Sequence, residues 1–480
     1  MMSNARKPQE RPNILFLFTD DQRFNTIHAL GNEQVHTPTM DFIVKNGTSF
    51  TRSYIMGGTC AAVCMPSRAM LLTGKTLFHL HNSGETIPED HSLMPEVFRE
   101  NGYTTFGTGK WHNSPSSYAR SFSTGGQIFF GGMDDHWNVP ACAFDPTGHY
   151  PEARLHPWDP GYGDVQYIPK QFDHIERGKH STELFADEAR KFLLNYKDDQ
   201  PFFMYVPFMA PHDPRTMPQQ FLNLYDPDTI ELPPNFAPRH PFDNGELSVR
   251  DELLADFPRS EKEIRRHLAE YYAMISHLDF EIGRILDALR ATGQFENTII
   301  VLSGDNGLAL GSHGLMGKQN NYDHSVHVPL VVMGPGITAD SIRDELCYLL
   351  DIFPTLCDLT DIEAPESVDG LSFATVLTNR QEDPSRENRP RKSAPRNSLA
   401  FAYKDVQRSV MDERYKLIEY CVDGNRRTQL FDLVDDPYEL KDLSADGGHT
   451  DTLKRMRSLL LEWREELDDP YDDFWKGFQA

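Results

Sequence analysis

Four short, unbroken apolar runs stand out from an otherwise mixed chain: Ile14 to Phe18, Phe202 to Val206, Ile299 to Leu302 and Leu330 to Met333. They are rich in branched and aromatic side chains and show no polar alternation. That is the pattern of strands covered on both faces, as in a parallel sheet. Between them the periodicity becomes that of amphipathic helices, at Ser181 to Tyr196 and Glu261 to Ala291. Ser92 is expected to cap a shorter helix ending at Gly102, with Glu96 in its first turns. Strands alternating with helices predict an α/β fold, a large and mostly parallel sheet sandwiched by helices.

Two stretches break the rhythm. Asn113 to Lys179 is rich in Gly, Pro and aromatics with weak periodicity, and is expected to form long loops walling a cleft. After Leu371 the composition shifts, and Arg380 to Arg396 reads as a charged linker. Beyond it, Leu399 to Tyr403, Arg408 to Met411, Tyr415 to Tyr420 and Gln429 to Leu433 alternate like short antiparallel strands, and Leu453 to Leu467 reads as a helix. The chain is therefore expected to divide into a main domain over residues 1–375 and a small C-terminal α+β subdomain over 376–480.

Composition narrows the function. The formal net charge of -25 argues against a nucleic-acid partner. An anionic ligand would need a local cluster of cations. The six cysteines form no CxxC pattern and suggest no disulfide framework. Met1 to Arg11 is polar, without the apolar run of a signal peptide, and no run is long enough to cross a membrane. As written the chain reads as cytoplasmic, or as periplasmic if an export signal has been trimmed. Oligomeric state is not legible.

Ligands of open α/β sheets bind beyond the carboxyl ends of the strands. The first apolar run is followed by Asp20 and Asp21, the second by His212, Asp213 and Arg215, the third by Asp305 and Asn306. A lone Asp-Asp pair usually caps a turn. Paired with Asp305-Asn306 it offers four oxygen donors, which suit a hard cation, Ca²⁺ or Mg²⁺, better than zinc.

The segment Cys64-Met65-Pro66-Ser67-Arg68, with Thr73-Gly74 four residues on, resembles the sulfatase signature. Gly102-Tyr103-Thr104-Thr105 with Gly109-Lys110-Trp111-His112 is similar to the second signature of that family. Pro211-His212-Asp213-Pro214, Asp305-Asn306-Gly307 with Gly311-Ser312-His313-Gly314 and Gly317-Lys318, and Phe431-Asp432-Leu433 follow in family order. Cys60 lacks the downstream Pro and Arg and reads as packing.

The resemblance implies a type I sulfatase with an alkaline phosphatase-like fold. Its Cys64 would be oxidised to formylglycine by a formylglycine-generating enzyme. The hydrated aldehyde would attack sulfur, and elimination would then release sulfate. By the same resemblance Asp20, Asp21, Asp305, Asn306 and modified Cys64 would hold Ca²⁺, with Mg²⁺ as the second choice. Arg68 would orient the diol, Lys110 and Lys318 bind sulfate, His112 act as base and His212 as general acid. Lys110-Trp111-His112-Asn113 and Phe129-Phe130-Gly131-Gly132-Met133 resemble bacterial carbohydrate sulfatases, including those acting on uronate 2-sulfates. Such a substrate would need a cation for its carboxylate. Arg215, His79 and His81 are candidates, and His313 is a further candidate for substrate contact. Choline sulfate, phosphonate or phosphodiester hydrolysis, and capture of sulfated glycans without turnover are the alternative readings.

Overall fold

In the computed structural model, which describes residues 11–158, 165–378 and 396–479, the first apolar run becomes a central strand, β1 (Asn13–Thr19). Seven more strands complete its sheet. They are β2 (Gly47–Phe50), β3 (Thr104–Lys110), β4 (Thr124–Phe129), β5 (Phe202–Pro207), β6 (Thr298–Gly304), β7 (Leu330–Met333) and β8 (Ser341–Arg343). Their spatial order is β8-β2-β7-β6-β1-β5-β3-β4. β1 pairs in parallel with both β5 and β6, and β3 and β4 extend the parallel run. The fourth apolar run is a correction. β7 is a strand, but it runs antiparallel to both β6 and β2. An apolar run records burial on two faces, and burial carries no direction.

Alternate residues of the central strands divide between two cores. Ile14, Phe16 and Phe18 share one face with Phe203, Tyr205, Ile299 and Val301, covered by helix α1 (Cys64–Thr73). Leu15 and Leu17 share the other with Phe202, Met204, Val206, Ile300 and Leu302, under α2 (Ser181–Asn195) and α3 (Glu261–Ala291). Each such buried side chain contributes about 1.5–3 kcal/mol, so the strands form a stiff frame. Ser260 caps α3, its side chain accepting from the Glu263 amide. The expected Ser92 cap is not formed. That helix runs Met94–Glu100 without a side-chain cap and carries Pro95 in its first turn, where proline's fixed φ suits a helix start.

The segment expected to be long loops is more ordered than its composition suggests. It contains a helix at Pro115–Ser121, β4, a ribbon of Asn138–Ala141 paired with His174–Arg177, and a hairpin of Arg154–Trp158 paired with Gln166–Lys170. The chain's C-terminal part forms an antiparallel meander, β9 (Leu399–Tyr403), β10 (Gln407–Met411), β11 (Tyr415–Val422) and β12 (Asn425–Asp432), followed by α4 (Thr450–Glu466). A fifth strand, Gly57–Gly58, joins the meander in parallel with Ala402 and Tyr403. Gly57 has φ +93°, and a Cβ there would lie 2.1 Å from the Ala402 carbonyl oxygen. Only glycine allows that approach. Of the expected linker, Arg396 alone is among the described residues, and it pairs with Asp351 at 2.6 Å. No helix among the described residues is long and apolar enough to cross a membrane.

Candidate active site

Because β1, β3, β5 and β6 are parallel, their carboxyl ends open on one edge of the sheet. Asp20 and Asp21 follow β1 directly, Lys110 ends β3 with His112 two residues on, His212 follows β5, and Asp305 and Asn306 follow β6. Asp21 sits at φ +61°, a conformation Asp tolerates better than most side chains. Its amide donates to Asp305 Oδ1 at 3.0 Å, and its carbonyl accepts from the Tyr271 hydroxyl. Two strand ends are thereby locked together.

Cys64 is the first residue of α1, and Arg68 lies one turn later on the same face. The Ser67 hydroxyl donates to the Asp305 carbonyl at 2.5 Å, fixing the helix start over the β6 end. Arg68 Nε donates to Asp305 Oδ2 at 2.8 Å, and its Nη1 donates to the Lys110 carbonyl at 3.1 Å. Lys110 Nζ contacts Asp20 Oδ2 and lies 3.5 Å from Cys64 Sγ, while His112 Nδ1 lies 3.4 Å from the same sulfur. Lys318 Nζ donates to Asp21 Oδ1 at 2.5 Å. His212 Nε2 faces Asp21 Oδ2 at 3.6 Å, and its Nδ1 donates to the Asp213 carbonyl at 2.8 Å. The structure therefore gathers Cys64, Arg68, Lys110, His112, His212, Lys318 and the four expected metal ligands into one cluster.

Three buried carboxylates, Asp20, Asp21 and Asp305, face three buried cations, Arg68, Lys110 and Lys318. Burial and the neighbouring Asp305 push Asp20 well above the usual carboxylate range, and burial also raises Asp21. Burial works on Asp305 too, but Arg68, Lys110 and Lys318 outweigh it and hold that carboxyl down. The donor set passes a direct test for a cation. Asp20 Oδ1, Asp21 Oδ2 and Asn306 Oδ1 are buried oxygens with no hydrogen-bond partner. Three unpartnered oxygens from two strand ends suit a hard cation. A dication there would turn a balanced cluster positive, against the acidic charge of the whole chain.

Burial, then Lys110 and Arg68, hold His112 well below its usual pKa, and burial followed by Lys318 does the same to His212. Burial pushes the Cys64 thiol up to about 11, so as a thiol it is protonated and inert at neutral pH. The remaining cysteines are unpaired as well.

The expected substrate residues fare differently. His79 binds Asp369 at 2.9 Å and Asp468 at 3.3 Å, His81 binds the Thr86 hydroxyl at 3.0 Å, and His313 stacks on Tyr322 with centroids 4.0 Å apart. None of the three contacts the cluster. Arg215 donates to His267 at 2.8 Å, and its Nε and Nη2 are buried. Sequence reasoning placed Asp213 at the sheet edge but gave it no role. It pairs with Arg250 across a long loop, and that partner had no signal in the sequence. It also passed over Asn113, whose amide donates to the Met65 and Gly84 carbonyls at 3.0 and 2.7 Å and braces the turn behind Cys64.

The sulfatase family profile matches residues 12–362. The chain belongs to the sulfatase family. A second profile, N-sulphoglucosamine sulphohydrolase, C-terminal, matches residues 311–466. An ulvan-active sulfatase of Formosa agariphila is 28% identical over 96% of this chain and 82% of its own length. An N-acetylglucosamine-6-O-sulfatase of Bacteroides thetaiotaomicron is 25% identical over 97% of this chain and 89% of its own. A solved structure in complex with its substrate D-glucosamine-2-N,6-O-disulfate superposes with a TM-score of 0.70 and 24% identity, covering 96% of this chain and 99% of that one. The fold is alkaline phosphatase-like, and this sulfatase is a sulfuric ester hydrolase.

Proposed function

We propose that this sulfatase removes sulfate from saccharide monoesters, with formylglycine made from Cys64 as its nucleophile. The observation that carries the reading is the position of Cys64. It opens a buried helix, 3.4–3.5 Å from His112 and Lys110, beside three unpartnered carboxylate and amide oxygens. Hydrated formylglycine supplies one hydroxyl to attack sulfur and a second whose deprotonation expels sulfate. Asp20, Asp21, Asp305 and Asn306 would hold Ca²⁺, which lowers the pKa of a bound hydroxyl and offsets charge on the ester.

The chain's own groups divide the remaining work. Lys110 and Lys318 present ammonium groups to the sulfate oxygens while anchored on Asp20 and Asp21. Arg68, held by Asp305 and the Lys110 carbonyl, orients residue 64. His112, kept neutral, takes the proton at residue 64. His212 must first take up a second proton, on Nε2, to deliver it to the leaving oxygen; burial and Lys318 oppose that charge, and Asp213 Oδ1, 3.4 Å from Nδ1, favours it. Relatives named for activity on ulvan and on N-acetylglucosamine 6-O-sulfate support a sugar leaving group. A uronate 2-O-sulfate stays a candidate through Arg215, whose buried Nε and Nη2 have no hydrogen-bond partner, whereas His79 and His81 are engaged elsewhere.

The test is sulfate release by protein co-expressed with a formylglycine-generating enzyme and supplied with calcium. The panel holds uronate 2-sulfates, hexosamine 6-sulfates, choline sulfate, an aryl sulfate and a phosphonate monoester. Release from one sugar sulfate is the expected result. Turnover of the phosphonate alone, with Cys64 converted, overturns the reading.

A further inference from the structure

The loop that carries His212 is gripped at both ends by two histidines remote from the reacting atoms. His136 and His180 are fully buried and stacked, ring centroids 4.9 Å apart and planes 7° from parallel. His136 Nε2 lies 3.0 Å from the carbonyl oxygen of His212, and His180 Nε2 lies 2.8 Å from that of Thr216. A carbonyl only accepts, so both Nε2 atoms carry the proton. The opposite nitrogens agree: His180 Nδ1 accepts from the Thr182 amide at 3.2 Å, and His136 Nδ1 lies 2.6 Å from the Ser181 hydroxyl, which donates to it. Burial holds both rings below their usual pKa, so the stack is neutral and both tautomers are fixed.

The grip is anchored in rigid structure. The two-stranded ribbon Asn138–Ala141 with His174–Arg177 brings residues 136 and 180 side by side. The Ser181 amide donates to the His136 carbonyl at 2.7 Å, tying the pair to the first turn of α2. His277 of α3 closes a third side, 4.7 Å from His180. Between the two gripped carbonyls lie His212, Asp213 and Arg215, and within that loop the Asp213 carbonyl fixes the His212 ring.

We infer that His136 and His180 are positioning residues, a neutral clamp that sets the depth and angle at which His212 meets the leaving oxygen. The inference rests on the reading of His212 as general acid. Proton transfer at this step demands hydrogen-bond reach, about 2.6–3.2 Å between heavy atoms. A loop free at its His212 carbonyl loses that reach without losing the fold. A merely structural clamp would affect all esters alike. A clamp that serves proton delivery affects most those esters whose leaving group needs the proton.

The test uses the full, Cys64-converted, calcium-supplied protein and a series of aryl sulfates from 4-nitrophenyl to unsubstituted phenyl. His136→Phe keeps the ring stack and removes the donor, whereas His136→Gln keeps a donor near the Nε2 position. Melting temperature is the control for folding. The expected result is a loss with His136→Phe at least about tenfold larger on phenyl sulfate than on 4-nitrophenyl sulfate, with the same trend as His212→Ala. His136→Gln should return the ratio to within about threefold of the parent. Equal losses across the series with His136→Phe, or none, overturn the clamp and leave the general acid standing. No leaving-group trend with His212→Ala removes the general acid, and the clamp's purpose with it. His180→Phe repeats the contrast at Thr216, with the same two outcomes, if His136→Phe does not fold.

Discussion

The sulfate end of the cleft and its leaving-group side are built from different materials. At the sulfate end, every charged group stands at the end of a central strand, on a buried helix, or on the segment between β6 and β7, and each is paired. On the leaving-group side, Asp213 of the loop after β5 pairs with Arg250, and the hairpin of Arg154–Trp158 and Gln166–Lys170 lies beside that pair. Its inner face puts Lys170 against Asp134 and the Trp158 ring 6.0 Å from Arg250. Its outer face shows Leu155 and Tyr167 to solvent, 69% and 67% exposed. On the proposed function, the difference assigns bond cleavage to the frame and choice of substrate to what is hung upon it.

The comparison can be broken first at its strongest point. Cys64→Ala removes the proposed nucleophile and should lower sulfate release by on the order of 10⁴-fold or more, with an unchanged circular dichroism spectrum. Turnover that survives would move the chemistry elsewhere. Removing divalent cations should cost about 10³-fold in rate, and calcium at a hundred times its Kd should add about 2.7 kcal/mol of stability. A melting temperature indifferent to chelator would mean that the unpartnered oxygens of Asp20, Asp21 and Asn306 do not hold a cation.

Smaller effects sharpen the contrast. Gly57→Ala forces a side chain onto the Ala402 carbonyl at a left-handed φ and should cost about 2 kcal/mol or more in urea unfolding. Trp158→Ala should raise KM for sugar sulfates by at most about tenfold and spare kcat, since its ring lies against Arg250, the partner of Asp213, and not against the sulfate end. A large fall in kcat instead would place Trp158 among the groups of the sulfate end. Leu155→Ser, on the outer face of the hairpin, should shift stability by no more than about 0.5 kcal/mol.

Much of the sulfate end was legible because its residues follow strands that announce themselves. Ile14 to Phe18 reads as a strand, so Asp20 and Asp21 fall at the sheet edge, and the signature from Cys64 to Gly74 supplies the rest. The direction of β7 was not legible, because Leu330 to Met333 would look the same running either way. The ribbon and hairpin between Asn113 and Lys179 were hidden by glycines and prolines that read as loop. The strand at Gly57–Gly58 was hidden for the same reason, since two glycines carry no periodicity at all. His79 and His81 looked close to the site because they follow the Cys64 signature in sequence. In space the chain has by then turned toward Asp369, Asp468 and Thr86.

The short strand at Gly57–Gly58 also sets a deadline. It lies just ahead of Cys64, and its partners Ala402 and Tyr403 leave the ribosome long after Cys64 does. Once they arrive, the segment is held in the C-terminal sheet and Cys64 is 2% exposed. If Cys64 is converted as proposed, an enzyme that reads Cys64 to Arg68 would have to act before that sheet closes. On that reading maturation and folding would compete for the same few residues, and a chain that folded first would keep a buried thiol.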